Sequence, residues 1–592
     1  MAAPYTAVVY FHGMGNQRRY EEVSRLIDAL DRYSPHQGMD NLDAIGTLSN
    51  IKTRTEAGRG NQKEDVTFVR TIHKYRPDES ATSPEDNASP IKRQTVRFYE
   101  AYWAPLTAEG VPARQVLTWL AAQVLTPVAT IRSPWRYRAR LRRAALQRYW
   151  HRVRDAQSSP YPDGDLLKML RAYDAFERPD ARAGYLEGTF REFLDFLEKT
   201  NTKRPKTTER LIRLARQWRR YYLQIEFTNL LVLISLALLL VIGLLGLLAF
   251  AAGLLQLLNV AWVQQLFGDL LPDPTAGHMG SLIILLAGLT GLTRFLRTYL
   301  GDVQFWTTYE ETNVKYDKRK RILALATSLL RHVLEDEACR RVVVVAHSLG
   351  TPIAQDALLA IGRYNRTRNL EAAAQGPIPI AKLDHLITLG SPIDKVHYFF
   401  ESMQGAYHRH IRVLDEVRGD VGTVPFAHNR KPHIHWINIW DQGDPVSGAL
   451  HTPSNKKWVN LRVDNLHVTN WFFPSPGASH SGYFNHQKVM ALLHAVIFHQ
   501  AHSFSTVPRG SKNEPLYDTA MVGPGRFSKV TRAYRGVLLL IPWQVLIVGL
   551  MYLLDYDAWG WYAGTGVLGA SVLAVMVGLS INAARGHAAP LP

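Results

Sequence analysis

Ser348 stands in Ala346-His347-Ser348-Leu349-Gly350, directly after four consecutive valines at 342–345. A serine hydroxyl is a weak nucleophile until a base takes its proton and an acid fixes that base's tautomer. The chemistry implied is attack on an acyl carbonyl. Ala346 and Gly350, two residues either side of the serine, are small enough for a strand and a helix to meet across a sharp turn. The more usual spacing is G-x-S-x-G, and Ala346 departs from it by one methyl group.

Candidate partners stand at the ends of later apolar runs. Residues 435–440 read as a strand that ends in Asp441-Gln442-Gly443-Asp444-Pro445-Val446. Residues 386–389 read as another, followed by Gly390-Ser391-Pro392 and Asp394. Asp444 is the preferred acid, Asp441 the second and Asp394 the third. The candidate base is His480, in Ser479-His480-Ser481-Gly482-Tyr483, just before a helical pattern at 487–501. His467 and His486 compete with it. Near the start of the chain, His12-Gly13-Met14-Gly15 closes the first β-rich run at 7–11. This is either an ordinary glycine turn or part of the same site. It is not a Walker-type phosphate loop, because no G-x-x-x-x-G-K-[ST] occurs. His433 and His435 share a strand face but have no evident third ligand, so no metal is expected, and no cofactor.

The Ala-His-Ser-Leu-Gly turn, the Asp-Pro-Val segment and the His-Ser-Gly-Tyr segment resemble the α/β-hydrolase superfamily, on its lipase and esterase side. The resemblance covers roughly residues 6–24 and 341–501. It implies an α/β fold with a mostly parallel sheet and the chain order serine, acid, histidine. The catalytic set it implies is Ser348, Asp444 and His480. His12 and Gly13 then form the oxyanion turn, with the Met14 and Leu349 N–H groups as donors to the oxyanion. The expected activity is ester hydrolysis. The alternatives are a thioesterase or acyltransferase on the same residues, or a non-catalytic membrane scaffold carrying a vestigial domain.

The elements that must position these residues follow from patterning. Four β-branched residues in a row suit a strand buried on both faces, and 351–361 reads as the helix after it. A helix is expected over 20–33 and a strand over 95–103. Residues 50–95 are polar, and 77–90 reads as a surface loop rich in Ser, Asp, Glu and Pro. The first ten residues lack a basic leader, so no signal peptide is expected. The single cysteine, Cys339, permits no intramolecular disulfide.

Elsewhere the chain is built for a bilayer. Residues 227–268 contain no charged side chain, where a helical span needs ~20 apolar residues. A second candidate span is 278–295. Two more charge-free runs, 536–554 and 558–584, are separated by Asp555-Tyr556-Asp557. Lys and Arg cluster before the first, after the second and before the third, and Arg585 follows the fourth. By the positive-inside rule both termini and the catalytic domain are cytoplasmic, with four spans in two hairpins. The formal net charge of +18 is largely juxtamembrane, which favours anionic lipid head groups as partners. Residues 131–154 hold nine arginines and no acid, interleaved with Trp135, Tyr137, Tyr149 and Trp150. That composition suits an interfacial helix, with a solvated cap or RNA binding as alternatives. No nucleic-acid motif accompanies it, so nucleic acid is not expected as a partner.

The expected organisation places a first part of the catalytic domain at 1–112 and a basic helical insertion at 113–227. A transmembrane hairpin at 228–297 and the second part of the catalytic domain at 298–505 follow. A linker at 506–535, a second hairpin at 536–584 and a tail at 585–592 complete the chain. Spans and a basic cap would hold the site near head groups, which favours a membrane lipid ester as substrate.

Overall fold

The computed structural model describes residues 3–13, 17–33, 48–59, 65–75, 92–107, 113–136, 138–155, 160–162, 164–177, 188–200 and 205–257. In the second half it describes 304, 306–307, 314–368, 377–402, 426, 434–441, 443–444, 446–450, 463–468, 476–498, 540–541, 543–545, 547 and 566–571.

Four strands come from the first hundred or so residues: β1 (Tyr5–Phe11), β2 (Leu48–Glu56), β3 (Val66–Tyr75) and β4 (Lys92–Ala101). Four come from the second half: β5 (Cys339–His347), β6 (Leu383–Leu389), β7 (His435–Asp441) and β8 (Val463–Val468). They form one sheet in the order β2-β3-β4-β1-β5-β6-β7-β8. β1 pairs in parallel with both β4 and β5, so the two distant stretches of chain share one sheet. Parallel pairing continues from β5 to β8. Only β2–β3 and β3–β4 are antiparallel. The fold class is α/β.

The helices before the chain's midpoint are α1 (Glu21–Tyr33), α2 (Ala104–Thr107), α3 (Ala113–Val124), α4 (Thr126–Arg132) and α5 (Ala139–Asp155). They continue with α6 (Gly164–Glu177), α7 (Phe190–Thr200) and α8 (Pro205–Leu257). The second half adds α9 (Val314–Glu335), α10 (Gly350–Arg368), α11 (Ile393–Ser402), α12 (Pro476–Ser481) and α13 (Gln487–Ile497).

Successive side chains of a strand point to opposite faces, so the valine run feeds two cores. Val342, Val344 and Ala346 pack in a layer with residues of α9 and α10. Val343 and Val345 pack on the other side with residues of α1 and α13. Each fully buried valine contributes ~1.5–3 kcal/mol relative to an exposed one. Cover on both faces is what an uninterrupted apolar strand requires.

The polar stretch 50–95 is not all loop. β2 and β3 lie within it, at the edge of the sheet, and Ile51 to Thr55 of β2 are exposed. Edge strands carry charges that discourage pairing with other chains, which hides them from an apolar-run criterion. The expected loop at 77–90 lies outside the described residues.

The insertion has a core of its own, built from Trp135, Leu146, Trp150, Met169, Tyr173, Phe193, Leu214 and Trp218 among others. Part of the Arg/Trp-rich segment therefore faces inward. Trp135, Trp150, Arg138, Arg142 and Arg143 are all buried. Arg142 donates to the carbonyls of Ser133 (3.0 Å), Pro134 (2.6 Å) and Trp135 (2.8 Å), just past the end of α4. A helix C-terminus leaves carbonyls unpaired and bears partial negative charge, which a buried guanidinium satisfies. Arg143 pairs with Asp174 at 3.0 Å and with Glu177.

α8 runs unbroken for 53 residues, or ~80 Å at 1.5 Å per residue. Pro205 begins it, where a missing N–H costs nothing. The expected boundary between insertion and first span at 227/228 therefore lies in mid-helix. The stretch Pro205–Leu238 is long and apolar enough to cross a membrane by length and composition. Phe227, Leu231 and Val241 along α8 are exposed. The described residues contain this one such helix rather than four spans in two hairpins. The expected second span and most of 536–584 lie outside them. Trp543, in the third expected span, donates its indole N–H to Ser235 Oγ of α8 at 2.9 Å.

Candidate active site

Ser348 sits between the end of β5 and the start of α10, with φ of +53°. For a residue with a Cβ this left-handed conformation costs on the order of 1–3 kcal/mol and persists only where the surroundings enforce it. Here they do. The Ser348 N–H donates to the Leu389 carbonyl of β6 at 2.9 Å. Its own carbonyl accepts the Thr351 N–H (3.0 Å) and the Thr351 hydroxyl (2.8 Å). A Cβ on Gly350 would fall 2.3 Å from the Phe11 carbonyl oxygen and 2.5 Å from that of His12. Glycine is thus required for α10 to start this close to β1.

His480 lies on the short helix α12, before the 3-10 turn Gly482–Asn485 that leads into α13. Its Nε2 is 2.8 Å from Ser348 Oγ and its Nδ1 is 2.9 Å from Asp444 Oδ2. The carboxylate assigns the ring proton to Nδ1, which leaves Nε2 free to accept from the serine. All three side chains are buried. The structure therefore brings Ser348, His480 and Asp444 together in one hydrogen-bonded line.

Asp444 is fixed from both oxygens. Oδ1 accepts the backbone N–H groups of Val446 (2.8 Å) and Ser447 (3.3 Å). Oδ2 accepts His480 and the Tyr483 hydroxyl, the latter at 2.8 Å. Burial alone would raise the Asp444 pKa. The facing His480, the charge of Lys395 and the Tyr483 hydroxyl outweigh it and hold the carboxyl at about 2.

The competing residues are placed elsewhere. Asp441 shapes the turn: its Oδ1 accepts the Gly443 N–H at 2.8 Å, and its own N–H donates to the Tyr483 hydroxyl at 3.1 Å. Asp394 pairs with Arg148 at 3.3 Å. His467 lies on β8 with its ring 4.4 Å from that of Trp440. His486 immediately precedes α13. Among the described residues no group of three His, Cys, Asp or Glu is arranged to hold a metal ion. His433 lies outside them, and His435 faces Asp464 at 3.3 Å.

The turn after β1 abuts Ser348. A Cβ on Gly13 would meet Ser348 Cβ at 3.0 Å and His347 Nδ1 at 3.2 Å. His12 accepts the Trp103 N–H at Nε2 (3.1 Å), so the proton on Nδ1 donates to the Gly13 carbonyl (2.8 Å). The imidazole also stacks on the Trp103 ring at 4.7 Å. Burial lowers the His12 pKa to about 4, so the ring stays neutral and serves as a brace for the turn. Leu349 is buried next to the start of α10. Met14 lies outside the described residues.

Three contributors were not singled out from sequence. His347, inside the serine motif, directs Nε2 to the His480 carbonyl at 2.9 Å. Tyr483, inside the segment that carries His480, braces Asp444 as described. Gly390 adopts φ of +61°, and a Cβ there would meet Tyr483 Cε2 at 2.9 Å, with Asp444 Oδ2 and His480 Cε1 both at 3.2 Å. The signal available was proximity to the motifs: two of the three lie within three residues of a candidate site residue. Compared with family models, with curated proteins and with solved structures, the chain gives no match in any of the three.

Proposed function

We propose that the chain is a membrane-anchored serine ester hydrolase of the α/β-hydrolase type, acting through Ser348, His480 and Asp444. The observation that carries this reading is the placement of His480 between Ser348 Oγ at 2.8 Å and Asp444 Oδ2 at 2.9 Å. The strained conformation of Ser348 supports it, because backbone strain of this kind clusters at active sites.

In the proposed reaction His480 Nε2 takes the hydroxyl proton as Ser348 Oγ attacks the ester carbonyl. The carbonyl π bond becomes an oxyanion, held by backbone N–H groups of Leu349 and Met14. Asp444 stabilises the imidazolium without taking its proton. The C–O bond to the alcohol then breaks, and His480 returns its proton to the leaving alkoxide. Water, deprotonated by His480, attacks the acyl-enzyme carbonyl; the bond to Ser348 Oγ breaks, His480 returns the proton to Oγ, and the acid is released. The favoured substrate class is a membrane lipid ester, because the insertion and sheet are joined to the long apolar helix α8.

The test is reaction with a fluorophosphonate probe, on wild type and on Ser348→Ala. Labelling of the wild type and its loss in the variant are expected. Labelling that survives Ser348→Ala, or never occurs, would overturn the enzyme reading. Fatty acid release from a lipid extract then tests the substrate class. Resistance of the full chain to alkaline carbonate extraction tests the membrane reading separately.

A further inference from the structure

A cleft of about 580 Å³ lies between α7 and α8 on the insertion, away from the triad. Arg191, Arg216, Arg219 and Arg220 line it, with Phe190 and Leu223 among the apolar residues of its wall. No carboxylate is among its described lining residues. Residues at i, i+3, i+4 and i+7 share a helix face, so Arg216, Arg219, Arg220 and Leu223 form one stripe along α8. Leu214, Ala215, Trp218 and Tyr222 are buried in the insertion core and hold that stripe in place. Arg219 lies over the Phe190 ring, 4.8 Å from its centroid.

Glu192, the acid next to Arg191, is engaged by the backbone. α7 begins with a capping box, in which Glu192 accepts the Thr189 N–H at 2.7 Å and Thr189 Oγ1 accepts the Glu192 N–H at 3.2 Å. Four arginines thus line a concave surface to which the described lining residues bring no carboxylate. Like charges held together are unfavourable unless an anion joins them. A phosphate suits guanidinium forks, which bind its oxygens in pairs.

The position along α8 indicates the source of that phosphate. The charge-free run begins at Phe227. At ~1.5 Å per residue, Leu223 lies ~6 Å before it along the axis and Arg220 ~10 Å before it. The head-group region of a bilayer extends roughly 5–8 Å beyond the hydrocarbon on each side. The Leu223 end of the cleft is the part nearest the apolar run; at the same rise Arg219 lies ~12 Å and Arg216 ~16 Å before it, so a bound head group would have to reach up from the bilayer to them.

We propose that this cleft binds the phosphate-bearing head group of an anionic membrane lipid, in addition to any lipid handled at Ser348. Apolar contact with Phe190 and Leu223 serves the glycerol backbone, and the arginines serve the phosphate. The inference rests on the membrane reading but not on the hydrolase reading. It names a discrete site, distinct from a diffuse attraction of basic residues to the bilayer.

The test uses the full chain carrying Ser348→Ala, so that no lipid is turned over, in an uncharged detergent. Bound ligand is counted by native mass spectrometry during titration with dioctanoyl phosphatidylglycerol, dioctanoylglycerol or inorganic phosphate. Phosphatidylglycerol is expected to saturate one site and to bind at least tenfold more tightly than either control ligand. Arg216→Gln with Arg220→Gln is expected to weaken it on the order of tenfold or more, at about fivefold per arginine. Lys206→Gln with Arg213→Gln removes the same charge from α8 outside the cleft and is expected to change affinity less than twofold. The single exposed change Arg191→Gln, on the opposite wall, is expected to weaken binding about fivefold and covers the case in which the double variant does not fold. Equal losses in the two double variants would reduce the site to non-specific attraction and overturn the proposal. Equal affinity for inorganic phosphate or for dioctanoylglycerol, or no saturable binding, would also overturn it. Failure here with intact carbonate resistance would leave the membrane reading standing.

Discussion

His347 holds the backbone of His480: its Nε2–H donates to the His480 carbonyl at 2.9 Å, and the two rings lie 5.0 Å apart. The residue before the candidate nucleophile thus braces the residue that would deprotonate it. The His347 ring is buried, and burial lowers its pKa, with neighbouring His480 acting in the same direction. A neutral ring with its proton on Nε2 is the form that makes this bond.

His347→Ala removes that brace without touching the reacting atoms. On the proposed mechanism kcat falls, because loss of alignment at a reacting centre costs up to ~10²-fold. The fluorophosphonate labelling rate is expected to fall in parallel while urea unfolding stays cooperative. His347→Gln, which keeps a donor, is expected to recover part of the rate. An unchanged labelling rate in His347→Ala would remove the residue from the mechanism.

Asp444→Asn keeps the shape of the site but cannot hold His480 in the same tautomer. Replacing the acid of a serine, histidine and aspartate set in this way lowers kcat by roughly 10⁴-fold in a well-studied protease, and a loss of several orders of magnitude is expected here. Asp441→Asn leaves the acid in place and is expected to cost far less. Hydrolysis of a short-chain nitrophenyl ester separates the two variants. A larger loss in Asp441→Asn would reassign the acid.

Gly390→Ala tests how tightly the strand ends are packed around the triad. The added methyl would sit at φ of +61° and press on Tyr483 at 2.9 Å. Strain of this kind costs about 1–3 kcal/mol, and the contact also displaces Asp444 and His480. A lowered urea midpoint and slower probe labelling are expected together. Unchanged stability would show that the Tyr483 ring yields without cost.

Glu56 anchors the opposite end of the sheet and makes stability depend on pH. It accepts Tyr99 Oη and His332 Nε2, each at 2.9 Å, and pairs with Arg97 at 2.9 Å. Burial would raise its pKa, but His332, Tyr99, Arg59 and Arg97 together lower it. Asp336, bonded to Tyr5 and Arg59, is lowered likewise against its own burial. A carboxyl whose folded pKa is depressed stabilises the fold above its ordinary value and loses that contribution as pH falls through the folded value. Glu56→Gln is therefore expected to destabilise by about 1–3 kcal/mol at neutral pH and by clearly less near pH 3. Urea midpoints of wild type and variant at the two pH values check the sign. A difference that grows on acidification would contradict it.

Local pattern was enough for the parts that are local. Four valines must be buried on both faces, a serine between small residues must turn sharply, and a long charge-free run must be a helix. Ser348 and Asp444 could be named because each follows a strand-like run, and His480 because it precedes a helical one. Their meeting could not be read from the chain. Ser348 and His480 are 132 residues apart, and His480 and Asp444 are 36 apart. Only the parallel register of β5, β6 and β7 brings those strand ends side by side. The turn after β7 then separates Asp444 from Asp441, three residues away, directing one to His480 and the other to the Gly443 N–H. The arginines of the insertion show the same division. Their number is plain in the sequence, but burial is decided by which face of each helix packs inward. Packing sent Arg142 and Arg143 to the core and left Arg216, Arg219 and Arg220 at the surface, where their charges meet in one cleft.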